Sequence, residues 1–282
     1  MKKQIRTDLA IEAKTLCAAD AELSGVTAEE RKIGGFPVTT VHIREKRASE
    51  ILCKPIGVYH TVFLEPVLRR EEDAFARAAD VVSSLLREVL KLSEGQTVFV
   101  VGLGNRDITP DAVGPKTADQ ILATRHLRVQ VPDPFSSMRP VAAFSPGVLG
   151  KTGVESVEMV KAICERIHAD AVLVIDALAC SDPERLCHTI QITDAGIVPG
   201  SGVGNDRAAF DRQSLGVPVI AVGVPTVMDA GAVSDDSSVR GLFITPRDID
   251  AVVSDFSKVV AYGVNLGLQP ELTLSDLDLL LS

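Results

Sequence analysis

The chain has 282 residues, 46% of them hydrophobic, which is ample for a core in one large α/β unit or two small ones. Its formal net charge of −9 disfavours nucleic-acid phosphates and anionic lipid as partners, because the average surface repels both. The five cysteines (Cys17, Cys53, Cys164, Cys180 and Cys187) are odd in number and include no C-x-x-C pair, which argues against a disulfide framework or a zinc site and for a reducing compartment.

In chain order, Arg6, Asp8, Glu12 and Lys14 break any apolar run near the start, so a secretory signal is not expected there. Alternation of Val41 and Ile43 with His42 and Arg44 predicts a strand over 37–44, which pairs antiparallel with a second strand over 60–65 at a sheet edge. A long amphipathic helix follows over 69–92, stopped by Ser93-Glu94-Gly95. From there strands and helices alternate. Strands are predicted over 97–101, 140–144, 171–176, 189–193 and 217–224, and helices over 115–127, 152–168, 182–187 and 246–265. Thr152-Gly153-Val154-Glu155 has a capping-box pattern, and Thr245-Pro246 reads as an N-cap followed by Pro at N1. A short terminal helix closes the chain within 272–282. The stretch Val217 to Ala230 contains Pro218, Pro225 and Asp229 and is too short to span a bilayer. These features predict an α/β protein with a mostly parallel sheet flanked by helices. It forms one domain over 1–282, in which residues 9–66 are an N-terminal β elaboration, and its location is cytoplasmic.

Several familiar motifs fail on inspection. Gly102-Leu103-Gly104 follows a strand, but the third glycine of a dinucleotide fingerprint falls on Asp107. No P-loop and no G-x-S-x-G elbow exists, and His42, His60, His126, His168 and His188 form no H-x-x-x-H pair. The loop Pro199-Gly200-Ser201-Gly202-Val203-Gly204-Asn205 is either a sharp chain reversal or a substrate-contacting loop, with Gly200 and Gly202 as candidate contacts.

Two acids remain. Asp111 lies six residues past Asn105, between a buried-looking strand and a Pro-initiated helix, where it either caps that helix or serves chemistry. Asp176 closes the run from Ala171 to Ile175 and is followed by Ala177-Leu178-Ala179, which places a carboxylate among apolar neighbours. Chemistry in open α/β sheets collects at the carboxyl edge of the strands. Two acids meeting there would share a proton and hydrolyse an amide by general acid/base catalysis.

With these motifs in hand the chain resembles the germination proteases of spore-forming bacteria, atypical aspartic peptidases that degrade small acid-soluble spore proteins. The resemblance is carried by Ile5-Arg6-Thr7-Asp8-Leu9-Ala10, by Val101-Gly102-Leu103-Gly104-Asn105 with Thr109-Pro110-Asp111-Ala112-Val113-Gly114-Pro115-Lys116, and by Thr124-Arg125-His126-Leu127. Pro146-Gly147-Val148, Ile175-Asp176-Ala177-Leu178-Ala179, Thr189-Ile190-Gln191-Ile192, Pro199 to Asn205 and Pro225-Thr226-Val227 continue it in order. The family's catalytic acids carry over to Asp111 and Asp176. The resemblance further implies a zymogen that trims itself at Asp8-Leu9, leaving residues 1–8 as a propeptide, and a homo-oligomer, by resemblance a tetramer, in the forespore or spore core. No cofactor and no metal is implied. An acid before the scissile bond calls for a cation, for which Lys116 and Arg125 are candidates by their nearness to the Asp111 loop.

The layout is also similar to that of hydrogenase maturation endopeptidases, which implies the three-layer phosphorylase/hydrolase-like fold and keeps metal-assisted cleavage at the same acids as a second reading. A third is a non-catalytic module whose Gly-rich loops hold an anion.

Overall fold

Runs of β-branched and apolar residues build one nine-stranded sheet whose two faces are covered by helices. The computed structural model describes residues 7–17, 23–205, 207–234, 236–239 and 241–281, so residues 1–6 of the expected propeptide lie outside the described residues. The strands are β1 (Val26–Ile33), β2 (Phe36–Ile43), β3 (Gly57–Phe63), β4 (Val98–Gly102), β5 (Val141–Phe144), β6 (Ala171–Cys180), β7 (Thr189–Thr193), β8 (Val219–Asp229) and β9 (Phe243–Ile244). The first helices are α1 (Ala10–Cys17), α2 (Lys46–Leu52), α3 (Glu65–Leu68), α4 (Ala74–Val89), α5 (Val113–Ala118) and α6 (Leu127–Gln130). They are followed by α7 (Pro132–Phe135), α8 (Leu149–Thr152), α9 (Ser156–Ile167), α10 (Arg212–Leu215), α11 (Ile249–Leu268) and α12 (Leu274–Leu281).

The strand order is β1-β2-β3-β7-β8-β6-β4-β5, with β9 added to β8. The α/β class with flanking helices is as expected, but the sheet is mixed rather than mostly parallel. Parallel pairing is confined to β5, β4, β6 and β8, whose connections run through helices. The N-terminal hairpins, the β3–β7 and β7–β8 contacts and β9 are antiparallel. The expected pairing of the two N-terminal strands is present as β2 with β3, and the further strand β1 caps that edge. Its run Glu29-Glu30-Arg31-Lys32 lacks the alternation that would reveal a strand, because β1 is an exposed edge with little apolar surface to bury.

Period-two alternation sorts the core. Val98 and Val100 of β4 with Leu173 and Ile175 of β6 face α4 and α11, whereas Phe99 and Val101 with Val172 and Val174 face α9. Helix α11 comes close to α4 through small residues: a Cβ on Gly263 would lie 2.5 Å from Val82, and one on Gly267 would lie 2.8 Å from Leu86.

Several helix boundaries differ from expectation for local reasons. Arg70 and Asp73 adopt left-handed backbone at φ 53° and 54°, which cuts the long helix into α3 and α4. Helix α5 ends at Ala118 because Asn265 of α11 captures the following backbone, accepting from Leu122 N at 2.9 Å and donating to Gln120 O at 2.9 Å. Gly153 at φ 72° terminates α8, so α9 begins at Ser156 with Glu155 at its N-cap, and the Thr152 pattern forms no capping box. Helix α11 begins after Asp248 rather than Thr245, whose hydroxyl instead donates to Thr226 O at 3.0 Å. Residues 182–187 form turns, not a helix.

Strand β4 stops where α5 presses its first turn onto the sheet. A Cβ on Gly102 would lie 2.1 Å from Gly114 O, and one on Gly114 would lie 2.2 Å from Leu103 O and 2.5 Å from Ile175 O. Only glycine at both positions lets the two backbones touch. Replacing Gly114 by Ala should therefore cost about 1–3 kcal/mol in urea unfolding, since the obstructing atoms are main chain. Gly150→Ala, where a Cβ meets nothing within 4 Å, is the matched control and should leave the midpoint near wild type.

Candidate active site

Because β4 ends at Gly102 opposite Ile175 while β6 runs on to Cys180, the next residue of β6, Asp176, projects from a strand that has lost its neighbour on one side. The expectation that the strand ends at Asp176 is therefore corrected. On its other side β6 continues against β8, with Asp176 opposite Gly223. Asp176 is 5% exposed, and its Oδ1 accepts the N–H of Ala177 at 2.9 Å.

Asp111 arrives from the other direction. Gly104, at φ 114°, turns the chain so closely that a Cβ there would lie 2.1 Å from Asp111 O. The Asp111 carboxylate accepts the N–H of Asn105 at 2.8 Å and so closes the loop on itself. It does not cap α5, whose N-cap is Ala112 without a side-chain bond. The Thr226 hydroxyl of β8 donates to Pro110 O at 2.6 Å and ties this loop to the sheet.

Both acids line one cavity of about 550 Å³, whose wall is otherwise mainly apolar: Leu103, Ile108, Val148, Leu149 and Phe243 contribute to it. Burial pushes the Asp176 carboxyl well above the usual carboxylate range, and the charge of Asp111 raises it further, opposed by the Ala177 N–H. Burial also raises Asp111, with the Asn105 N–H acting against it. Such a pair holds a proton where isolated aspartates are ionised.

The Gly-rich loop reaches the same cavity through Pro199, Gly200, Val203 and Asn205, and Arg207 lies beside it, 3.9 Å from Glu155. Gly202 of the same loop is buried and does not line the cavity; a Cβ there would lie 2.3 Å from Asp8 Oδ2. Asp8 itself lines the cavity, whereas Leu9 is fully buried in the core beneath. Lys116 and Arg125 are not brought there. Lys116 sits in the last turn of α5, away from the end that meets the strands. The N–H of Arg125 bonds Val141 O at 3.0 Å, at the opposite end of the sheet where β5 and β4 begin, and His126 follows it there as an exposed N-cap of α6.

The cation near Asp8 is instead Lys54, from the loop after α2. Its Nζ donates to Thr7 O at 2.9 Å, and burial lowers its pKa against the opposing charge of Asp8. Nothing local in the sequence marks it, because Lys54 and Asp8 meet only through the fold. Among the described residues no three His, Cys, Asp or Glu side chains cluster as a metal could require, and no helix is long and apolar enough to cross a membrane.

A family model described as germination protease matches residues 5–240. The chain belongs to the germination protease family. It is 39% identical to the germination protease of Caldanaerobacter subterraneus subsp. tengcongensis, with 98% of each chain covered. It is 37% identical to that of Clostridium perfringens over 97% of this chain and 98% of the relative. With that of Bacillus subtilis it shares 40% identity over 83% of this chain and 66% of the relative. Among solved structures it is similar to the NiFe hydrogenase maturation protease HycI from Thermococcus kodakarensis, at 18% identity and TM-score 0.36, covering 64% of this chain and 98% of that one. Membership makes the chain a peptidase. The blocks around Gly104, Asp111, Val148, Asp176, Gly200 and Thr226, scattered along the sequence, all line the cavity that holds the two acids.

A carboxyl whose folded pKa stands above its unfolded value costs stability wherever the unfolded chain would be ionised, and that cost vanishes below the unfolded pKa. Asp176→Asn keeps an oxygen for the Ala177 N–H and removes the charge. The variant should therefore melt above wild type at pH 7, with the gain shrinking as pH falls through the ordinary carboxylate range. Thermal scans across pH check this, and equal melting temperatures at neutral pH would refute the buried-charge assignment.

Proposed function

We propose that this peptidase is an endopeptidase that opens the degradation of small acid-soluble spore proteins during germination, using Asp111 and Asp176 to activate water. The observation that carries this reading is the joint placement of the two acids at the point where β4 ends and β6 runs on, in one largely apolar cavity. The shared proton is assigned to Asp176, the more deeply buried of the two; Asp111, steadied by the Asn105 N–H, is the base.

In the proposed reaction Asp111 takes a proton from water as the water oxygen bonds to the scissile carbonyl carbon. The carbon–nitrogen bond then breaks while Asp176 gives its proton to the departing amine. Proton return from Asp111 to Asp176 resets the pair. Neither step needs a cofactor, and the substrates and the spore-core location come from the family resemblance, as does a homo-oligomer, with a tetramer as its specific form.

The same reading makes the chain a zymogen cut at Asp8-Leu9. Asp8 stands at the cavity, but Leu9 is fully buried, its N–H bonds Thr7 Oγ1 at 3.0 Å, and its carbonyl accepts Ala13 N at 3.1 Å. Self-cleavage therefore waits on release of Leu9 from the core, which keeps the uncut form latent.

Intact-mass measurement after mild acidification tests the reading. Wild type should lose an eight-residue N-terminal piece, whereas Asp111→Asn and Asp176→Asn should cut about 10²–10⁴-fold more slowly. Undiminished cutting by both variants would remove the pair as the catalyst. Addition of a chelator should leave the wild-type rate unchanged, and loss of activity in chelator would favour the metal-assisted reading.

A further inference from the structure

Beyond Ile175 the edge of β6 that β4 would have covered is open, and Ala179 presents its N–H and carbonyl there. Asp8 docks on this edge through one main-chain bond and its own carboxylate. The Asp8 N–H donates to Ala179 O at 2.9 Å, and the Ala179 N–H donates to Asp8 Oδ2 at 2.8 Å. The other carboxylate oxygen, Oδ1, accepts the Ser201 hydroxyl at 2.6 Å. Gly202 supplies the space, because a Cβ there would stand 2.3 Å from Asp8 Oδ2. Lys54 adds positive charge behind the segment through Thr7 O, and the Gln191 side chain donates to Asp8 O at 3.3 Å while accepting Ala10 N at 2.9 Å.

A mere tether for the N-terminal arm has no need of a carboxylate at this point. The cavity already holds Asp111 and Asp176, and the charge of Asp8 pushes against Asp176, so a third acid is electrostatically unfavourable unless the wall is built to receive one. The wall is so built, with a backbone N–H, a hydroxyl and a missing Cβ all aimed at the same two oxygens. Main-chain pairing at an open sheet edge combined with a side-chain pocket is also how extended peptides are recognised in general.

We infer that Ala179, Ser201 and Gly202 form an acid-recognition subsite for extended peptide substrates, occupied in this chain by Asp8 from its own N-terminal arm. The inference rests on the proposed peptidase function of the same cavity and adds which residues read the substrate. An acidic peptide residue would pair its main chain with Ala179 and set its carboxylate between the Ala179 N–H and the Ser201 hydroxyl. The resident Asp8 competes with it, so the arm limits access until it leaves.

Equilibrium binding tests this apart from cleavage. The probes are an acetylated, amidated decapeptide of residues 4–13 and its analogue with Asn in place of the Asp. The proteins are full-length chains in an Asp111→Asn background, which removes turnover. With Asp8→Ala added, the Asp peptide should bind at least about tenfold more tightly than to the chain that keeps Asp8, and about tenfold more tightly than the Asn peptide, as a pair of hydrogen bonds to a charged group warrants. Adding Ser201→Ala should erase most of that preference, and Ser201→Thr should restore it. Asp8→Asn serves as a second arm variant if Asp8→Ala melts early. Equal binding of the two peptides by the arm variants, or a preference indifferent to Ser201, would overturn the subsite. Selective binding without any cleavage by the Asp111-containing chain would uphold the subsite and sink the peptidase reading, whereas cleavage without acid preference would do the reverse.

Discussion

The architecture of the site depends on a backbone contact between two glycines. Gly102 ends β4 and Gly114 lies in the first turn of α5, and their approach leaves no room for a Cβ on either. Because the helix is packed directly against the strand ends, the loop between them folds back toward the sheet and carries Asp111 with it. Because β4 is halted there, β6 loses a neighbour at Ile175, and Asp176 stands at an open edge rather than inside a ladder. One steric constraint thus delivers one acid and uncovers the other.

The electrostatic consequence runs against stability. Burial in an apolar cavity makes both carboxyl groups harder to ionise than in water, and the charge of Asp111 makes Asp176 harder still. The structural return on this arrangement is small: among the described residues Asp176 accepts just the N–H of its own neighbour Ala177, and Asp111 closes its own loop through the N–H of Asn105. Shared protonation is what such a pair offers, and it suits a reaction in which one proton is taken and another given. Asp8 adds a third charge to the same cavity, held by Ala179 and Ser201, so the N-terminal arm both occupies the cleft and perturbs the acids it covers.

Much of this was legible in the residues because burial and alternation write themselves into sequence. The Val-rich runs at 98–101 and 171–175 are strands buried on both faces, and an acid directly after such a run, as at Asp176, has no surface role to explain it. The shape of the Asp111 loop was harder to read, since an Asp before a Pro-bearing helix is an ordinary capping signal; its bond to Asn105 appears only in three dimensions. The true lengths of α5 and α4 were set by a distant Asn265 and by left-handed residues Arg70 and Asp73, neither of which periodicity records. Closeness in the chain does not bring Lys116 or Arg125 to the acids: strand direction places Arg125 at the far rim, and Lys116 lies in the last turn of α5, outside the cavity lining. Lys54 comes from a hairpin connection that only the assembled sheet brings to Asp8.

The central claim is that Asp111 and Asp176 act as one electrostatic unit. Carbon-13 NMR titration of aspartate carboxyl carbons, in wild type and in Asp111→Asn, tests it most directly. The account predicts an Asp176 midpoint above the usual carboxylate range in wild type that falls in the variant yet stays raised, since burial is the larger cause and the Asp111 charge the smaller. An Asp176 midpoint that is ordinary in wild type, or that does not move when Asp111 loses its charge, would contradict it.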